Sequence, residues 1–128
     1  LERQTKRIAK ATNTMIIISG RIFIDPPKRA ALLEASKPLQ QATRDDEPGC
    51  EAYVFAGDPC EPGTISVYEL WSDAPSLAAH FLHENYFNMR KVFGEYGITG
   101  TKISKFRLDA EDGVYVDGVA TAKFADER

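Results

Sequence analysis

The stretch that decides the fold reads CEAYVFAG (50–57), DPCEPG (58–63) and TISVYELWS (64–72). The first and third segments are rich in β-branched and aromatic residues, which is typical of strands. The middle segment holds an aspartate, two prolines and a glycine, which are residue types that form tight loops. The stretch therefore predicts two antiparallel strands joined as a hairpin.

Upstream of this hairpin, the segment MIIISGRIFI (15–24) predicts another strand, with apolar residues on both of its faces. The Asp-Pro-Pro at 25–27 is a helix start signal, and apolar residues then recur at helical spacing up to about Arg44. Pro38 lies inside this pattern and removes a backbone donor, so we expect a kink or a break there.

Downstream, Ser72 or Asp73 can cap a short helix over about 74–83. A second helical stretch follows and ends at Gly97. The segment TGTKISKFRL (99–108) then indicates a last strand, weakly.

The predicted order β–α–β–β–α–β is the pattern of an α+β, ferredoxin-like subunit with an antiparallel sheet. One layer of helices can cover only one face of that sheet. Because the strand at 15–24 is apolar on both faces, we expect a second subunit to cover the other face, which makes the protein a homodimer.

The charge of the 128-residue chain is unevenly distributed. The first fourteen residues hold four basic residues and one acidic residue, a local charge of +3. Because the net charge of the chain is −3, the remaining residues together carry −6. Residues 1–14 are therefore interpreted as a basic extension, 15–108 as the domain, and 109–128 as a tail or arm in which an Asp-Gly pair indicates a short hairpin. An acidic body repels a phosphate backbone, so nucleic acid is not an expected partner.

Several other classes of protein are not expected from the sequence. No apolar run approaches the length of roughly 20 residues that spans a bilayer, so we expect a cytoplasmic protein rather than a membrane protein. A Cys50–Cys60 disulfide is not expected, because a straight strand over 50–57 already spans roughly 20 Å. The chain also has no glycine-rich phosphate loop, no Cys/His spacing for a metal and no serine nucleophile elbow.

Glu69 and His80 are the residues that stand out chemically. Strand alternation places Glu69 on the same face as Ile65, Val67 and Trp71, and a buried carboxylate is costly unless it is paired. His80 flanks the apolar stripe of the following helix, so we expect it to pair with Glu69 at the edge of a cavity. The alternative is that the pair is only a hydrogen-bonded structural feature of the core.

Three segments carry a resemblance to a known family: EPGCEAYVF (47–55), VYELWSDAPSLAAHF (67–81) and NYF (85–87). Over roughly 15–108 the chain resembles the antibiotic biosynthesis monooxygenases, which are dimeric α+β barrels that include small quinol monooxygenases. The resemblance implies catalysis with no cofactor and no metal, on a small phenolic, quinol or anthrone-type substrate that reacts with dioxygen after deprotonation. A haem-degrading branch of the fold has an iron-binding histidine where this chain has Lys91, so haem degradation is disfavoured.

Such a reaction needs a dry cavity, a base and polar groups that hold the substrate anion. We predict His80 as base or proton shuttle and Glu69 as its orienting partner or as an alternative base. The predicted lining and substrate-contacting residues are Trp71, Tyr53, Phe81, Asn85 and Tyr86. Two other functions remain open: an isomerase or other acid–base enzyme acting on a small carbonyl compound, and a non-catalytic dimer that binds a small ligand.

Overall fold

The structure is a computed structural model that describes residues 14–128. Apart from Thr14, the predicted basic extension lies outside the described residues. Within the described part, no helix is both long enough and apolar enough to cross a membrane.

Four antiparallel strands form the main sheet, in the order β2-β3-β1-β4. They are β1 (Ile16–Ile24), β2 (Cys50–Gly57), β3 (Thr64–Trp71) and β4 (Ile98–Arg107). This strand order, with helices between β1 and β2 and between β3 and β4, confirms the predicted ferredoxin-like α+β fold.

Three helices accompany the sheet: α1 (Pro26–Asp46), α2 (Ala74–His80) and α3 (Glu84–Tyr96). Asp73 caps α2 by accepting a hydrogen bond from the Ser76 backbone N–H at 2.8 Å, and Gly97 ends α3 in the left-handed conformation. α2 ends three residues earlier than predicted, because His83 instead serves as the N-cap of α3.

Of the kink or break predicted at Pro38, the break is wrong, since α1 continues through this residue to Asp46. Pro38 lies on the exposed side of the helix. Water can there satisfy the carbonyl of Glu34, which loses its usual i+4 donor, so the cost of the proline is reduced.

One face of the sheet packs against the helices and forms the core. A row across this face runs Tyr53–Glu69–Ile18, which places a carboxyl group among apolar neighbours as the alternation in β3 predicts. The buried apolar residues of the core are Ile16, Ile18, Ile22, Ile24, Leu32, Tyr53, Ile65, Val67, Trp71, Leu77, Met89 and Phe93.

The opposite face of the sheet has no covering layer among the described residues. The side chains of Val54, Tyr68 and Phe106 are 39%, 42% and 53% exposed there, beside the half-buried Ile17 and Leu70. This face is more apolar than a solvated sheet face usually is.

The two edges of the sheet differ. At the β2 edge, the Gln40 side chain donates to the Phe55 carbonyl at 3.0 Å and accepts from the Phe55 N–H at 2.9 Å. Arg44 Nε donates to the Tyr53 carbonyl at 2.9 Å. Helix α1 therefore occupies outward-facing backbone groups of β2 that an added strand would use.

A C-terminal arm, residues 109–128, follows β4. It contains the hairpin strands β5 (Tyr115–Val116) and β6 (Val119–Ala120) and a 3₁₀ turn at Ala125–Glu127. Asp117 and Gly118 both have positive φ, 51° and 79°, which matches the geometry of a tight Asp-Gly hairpin turn.

Candidate active site

A buried polar cluster lies where α1 ends and β2 begins. Helix α1 stops after Asp46, and Glu47 takes an extended conformation at φ −111° and ψ 102°. The Cys50 N–H donates to the Glu47 carbonyl at 2.9 Å, which closes a tight turn through Pro48 and Gly49. This turn leaves the Glu47 side chain buried, with only 7% of the residue exposed.

His80 reaches the same cluster from the last position of α2. Leu77 and His80 are the buried residues of this helix, and their i, i+3 spacing places them on one side of it. His80 is 1% exposed, so its imidazole is almost completely removed from water.

Glu47 holds His80 through a bifurcated hydrogen bond, in which one ring nitrogen faces both carboxylate oxygens. His80 Nδ1 lies 2.9 Å from Glu47 Oε1 and 3.1 Å from Oε2, and Asn85 Nδ2 donates to Oε2 at 3.2 Å. A carboxylate can only accept, so the neutral imidazole carries its proton on Nδ1 and leaves an electron pair on Nε2. Among the described residues, Nε2 has no hydrogen-bond partner.

Four aromatic rings surround the imidazole. The Trp71 ring is tilted by 37° against it, with centroids 4.5 Å apart. Tyr53 and Tyr86 approach edge-on at 5.6 Å and 5.4 Å, and Phe81 lies at 5.8 Å. Because Phe81 is 41% exposed, it borders both the imidazole and solvent.

The predicted pairing of Glu69 with His80 is wrong. Glu69 Oε1 instead accepts a hydrogen bond from Trp71 Nε1 at 2.9 Å, within the same strand. The two residues are two positions apart in β3 and so share a face. Glu69 and His80 therefore both contact Trp71, and the orienting partner of the imidazole is Glu47.

Burial changes the acidity of these groups. Burial raises the pKa of Glu69 from its usual 4.5 to about 7, an effect that the Trp71 hydrogen bond opposes and the Glu47 charge reinforces. Burial lowers the pKa of His80, although the hydrogen bond and charge of Glu47 oppose the change. Burial, with the charges of Glu69 and Glu47, raises the pKa of Tyr53 well above its usual range. Near pH 7 the cluster therefore combines a neutral imidazole with a carboxyl group that can be protonated or ionised.

A cleft of about 250 Å³ reaches this cluster from outside. Glu47 and Trp71 form part of its wall, whereas His80 is not among the residues that line it. The rest of the wall is formed by Asp46, Pro48, Gly49, Ser76, Ala79 and His83.

The predicted site residues are grouped in part around His80. Trp71, Tyr53, Phe81 and Tyr86 contact its ring, whereas Asn85 joins it indirectly through Glu47. Glu47 was missed as a site residue. The available signal was its place in the segment EPGCEAYVF, directly after the first helix and before a buried strand.

Among residues 14–128, no group of three or more histidine, cysteine or acidic side chains is arranged to hold a metal ion. Cys50 and Cys60 are free thiols, and burial raises the pKa of Cys50 to about 11, so this thiol stays protonated at neutral pH.

The fold and the cluster define a class of small α+β proteins with one helix-covered sheet and a histidine–carboxylate pair in the core. Residues 15–91 match the family model described as antibiotic biosynthesis monooxygenase. The chain belongs to this family.

Solved structures of similar fold support this assignment. A protein from Bacteroides thetaiotaomicron, described as of unknown function and a possible oxidoreductase, is 25% identical with a TM-score of 0.67, over 75% of this chain and 99% of that one. A protein from Caulobacter crescentus, named provisionally as an antibiotic biosynthesis monooxygenase, is 21% identical with a TM-score of 0.67, over 84% and 99% of the two chains. The second likeness shows the fold alone.

One curated relative is an uncharacterized Synechocystis protein, sll1783, which is 29% identical over 72 residues. The match covers 56% of this chain and 48% of that protein. The chain thus spans about half the length of the curated relative that it matches.

Proposed function

We propose that this protein is a cofactor-independent monooxygenase in which His80 deprotonates a small phenolic, quinol or anthrone-type substrate. The observation that carries the proposal is the buried His80–Glu47 pair. His80 Nδ1 lies 2.9 Å from Glu47 Oε1, and among the described residues Nε2 has no hydrogen-bond partner. The family supplies the class of reaction, and the site supplies a base in a dry aromatic environment.

The first step is a proton transfer. Nε2 takes the substrate proton. The Glu47 carboxylate stabilises the imidazolium that forms, because it already accepts a hydrogen bond from Nδ1 on the other side of the ring. Burial disfavours this imidazolium and lowers the pKa of His80, but it also keeps Nε2 unprotonated and ready at neutral pH.

The second step is oxidation of the substrate anion by dioxygen. One oxygen atom enters the substrate, and the other leaves as water with two hydrogens from the substrate, so no external reductant is needed. The exposed ring of Phe81 and the half-buried ring of Tyr86 offer stacking surfaces for a flat substrate next to the base.

We further propose that the working form is a homodimer. A second copy would cover the open sheet face around Tyr68 and Phe106, which are 42% and 53% exposed. Burying these rings at an interface removes apolar surface from water, as in other dimer interfaces.

A second candidate function is an isomerase acting on a small carbonyl compound. Glu69 favours it, because a carboxyl group with a pKa of about 7 can both give and take a proton near neutrality. This reaction consumes no oxygen, which separates it from the first proposal.

Oxygen uptake with a panel of quinols, phenols and anthrones tests the first proposal. We expect uptake by the wild type and its loss in His80→Ala and in His80→Gln. Lys91→Gln is the control, because Lys91 is exposed on α3 and does not line the cleft. Absence of uptake by folded wild type on every substrate would contradict the proposal, and so would full activity in both His80 variants.

A further inference from the structure

The C-terminal arm is structured within itself but has little cover. Its Thr121 N–H donates to the Val114 carbonyl at 2.9 Å, and Arg128 Nη1 lies 2.7 Å from Asp112 Oδ2. Yet every residue from 109 to 120 is exposed. The exposed large apolar side chains of the arm are Val114 (62%), Tyr115 (70%), Val116 (36%), Val119 (67%) and Phe124 (40%).

An isolated two-stranded hairpin is only marginally stable in water. A hairpin that also exposes a tyrosine, a phenylalanine and three valines gains stability when another surface covers them. The arm therefore has the character of a docking element rather than of a solvated tail.

The charge of the arm limits which surface fits. Residues 109–128 hold six acidic and two basic residues, a net charge of −4. Strand β4 holds Lys102, Lys105 and Arg107 and no acidic residue, and Arg21 of β1 is paired with Lys102. Ile103, which is 41% exposed, shares the helix-covered face of the sheet with Lys105 and Arg107, whereas Phe106 and Lys102 lie on the open face. On its helix-side face, the strand thus offers positive charge beside an exposed apolar side chain.

Strand β4 is also the open edge of the sheet. The other edge strand, β2, has outward groups of Tyr53 and Phe55 bonded to side chains of α1. Within residues 14–128, no comparable side chain bonds to the outer edge of β4, which is therefore free to receive another element.

We propose that the acidic arm of one copy docks on β4 of a second copy and acts as a clasp of the homodimer. The apolar side chains of the arm cover Ile103 at this edge, while its acidic residues face Lys105 and Arg107. The inference rests on the proposed homodimer, but it is independent of the proposed oxidation.

Truncation after Leu108 is the first test. Measured by sedimentation velocity over a dilution series, the dissociation constant of the dimer should rise by about 10-fold or more, because the truncation removes a substantial part of the proposed interface. For the full chain, the dissociation constant should also rise with salt concentration, because salt screens the attraction between opposite charges. An unchanged dissociation constant in the truncated chain would overturn the proposal.

A charge-reversal cycle identifies the docking surface. The arm variant carries Asp109→Lys, Glu111→Lys and Asp126→Lys, which are exposed and form no hydrogen bond needed within the arm. The strand variant carries Lys105→Glu and Arg107→Glu. Each should weaken the dimer, and their combination should restore it, whereas Lys37→Glu on exposed α1 should have no effect. Additive weakening in the combined variant would rule out this surface.

A photo-crosslinking residue at Tyr115 separates docking on a second copy from docking on the same chain. Irradiation should give a covalent product of dimer size whose link maps to 98–107. Links confined to a single chain, or links between copies that map elsewhere, would overturn the proposal. Oxygen uptake by the same variants shows separately whether the proposed oxidation fails.

Discussion

Replacing Glu69 by glutamine should stabilise the protein at alkaline pH and leave it almost unchanged in acid. Glutamine keeps the size of the side chain and an oxygen that can accept the Trp71 Nε1 hydrogen bond, which is 2.9 Å long. It removes only the charge. The comparison therefore isolates the cost of an ionised carboxylate in the core.

The magnitude follows from the pKa of Glu69, which burial raises from 4.5 to about 7. The folded state then binds the proton more tightly than the unfolded state. As pH rises from 4.5 to 7, the unfolded chain loses this proton first, so the wild type loses stability over that range. The difference between the two pKa values corresponds to about 3 kcal/mol in the free energy of unfolding, at 1.36 kcal/mol for each pKa unit. The Glu69→Gln variant does not lose stability in this way, because it has no carboxyl group at this position.

The assay is urea unfolding of both proteins at pH 4.5, 6 and 8, at one protein concentration. Circular dichroism gives the free energy of unfolding, and the fluorescence of Trp71, the only tryptophan, reports on the site. The advantage of Glu69→Gln should grow with pH and level off above about pH 7. An advantage that is independent of pH, or a variant that is less stable at pH 8, would refute the reasoning.

Three further predictions concern the same region. The rate of oxygen uptake should fall as pH drops below 6.5 and through the lowered pKa of His80, because the protonated imidazole cannot act as a base; a pH–rate profile tests this, and a rate that rises in acid would contradict it. Glu47→Ala should destabilise the fold by about 1–3 kcal/mol, because it leaves buried donors of His80 and Asn85 without a partner; an unfolding free energy equal to the wild type would show that the pair is not needed. Gln40→Leu should cost a similar amount and promote aggregation, because it frees the backbone of Phe55 at the β2 edge; light scattering that matches the wild type would argue against edge protection.

Local patterns were sufficient to predict the sheet and the buried position of Glu69. The alternation in TISVYELW gives the two faces of β3, and the prolines and glycine after Gly57 give the hairpin. These features depend on neighbours in sequence. The structure adds the register, which aligns Glu69 with Ile18 and Tyr53.

The partner of His80 could not be predicted in the same way. Glu47 lies 33 positions before His80, in a turn where no periodicity fixes the direction of a side chain. The alternation in β3 predicted Glu69 as a buried acid, but the hydrogen-bond donor that it contacts is Trp71 of its own strand. The break at Pro38 failed for a related reason, since exposure on one side of α1 decides whether a helix tolerates proline.

The central claim is that His80 initiates the transfer of one oxygen atom from dioxygen to an aromatic substrate. Turnover under ¹⁸O₂, followed by mass spectrometry of the product, tests it most directly. We predict one ¹⁸O atom in each product molecule for the wild type and for Lys91→Gln, and no labelled product for His80→Ala. Unlabelled product from the wild type, or labelled product formed equally well without His80, would contradict the account.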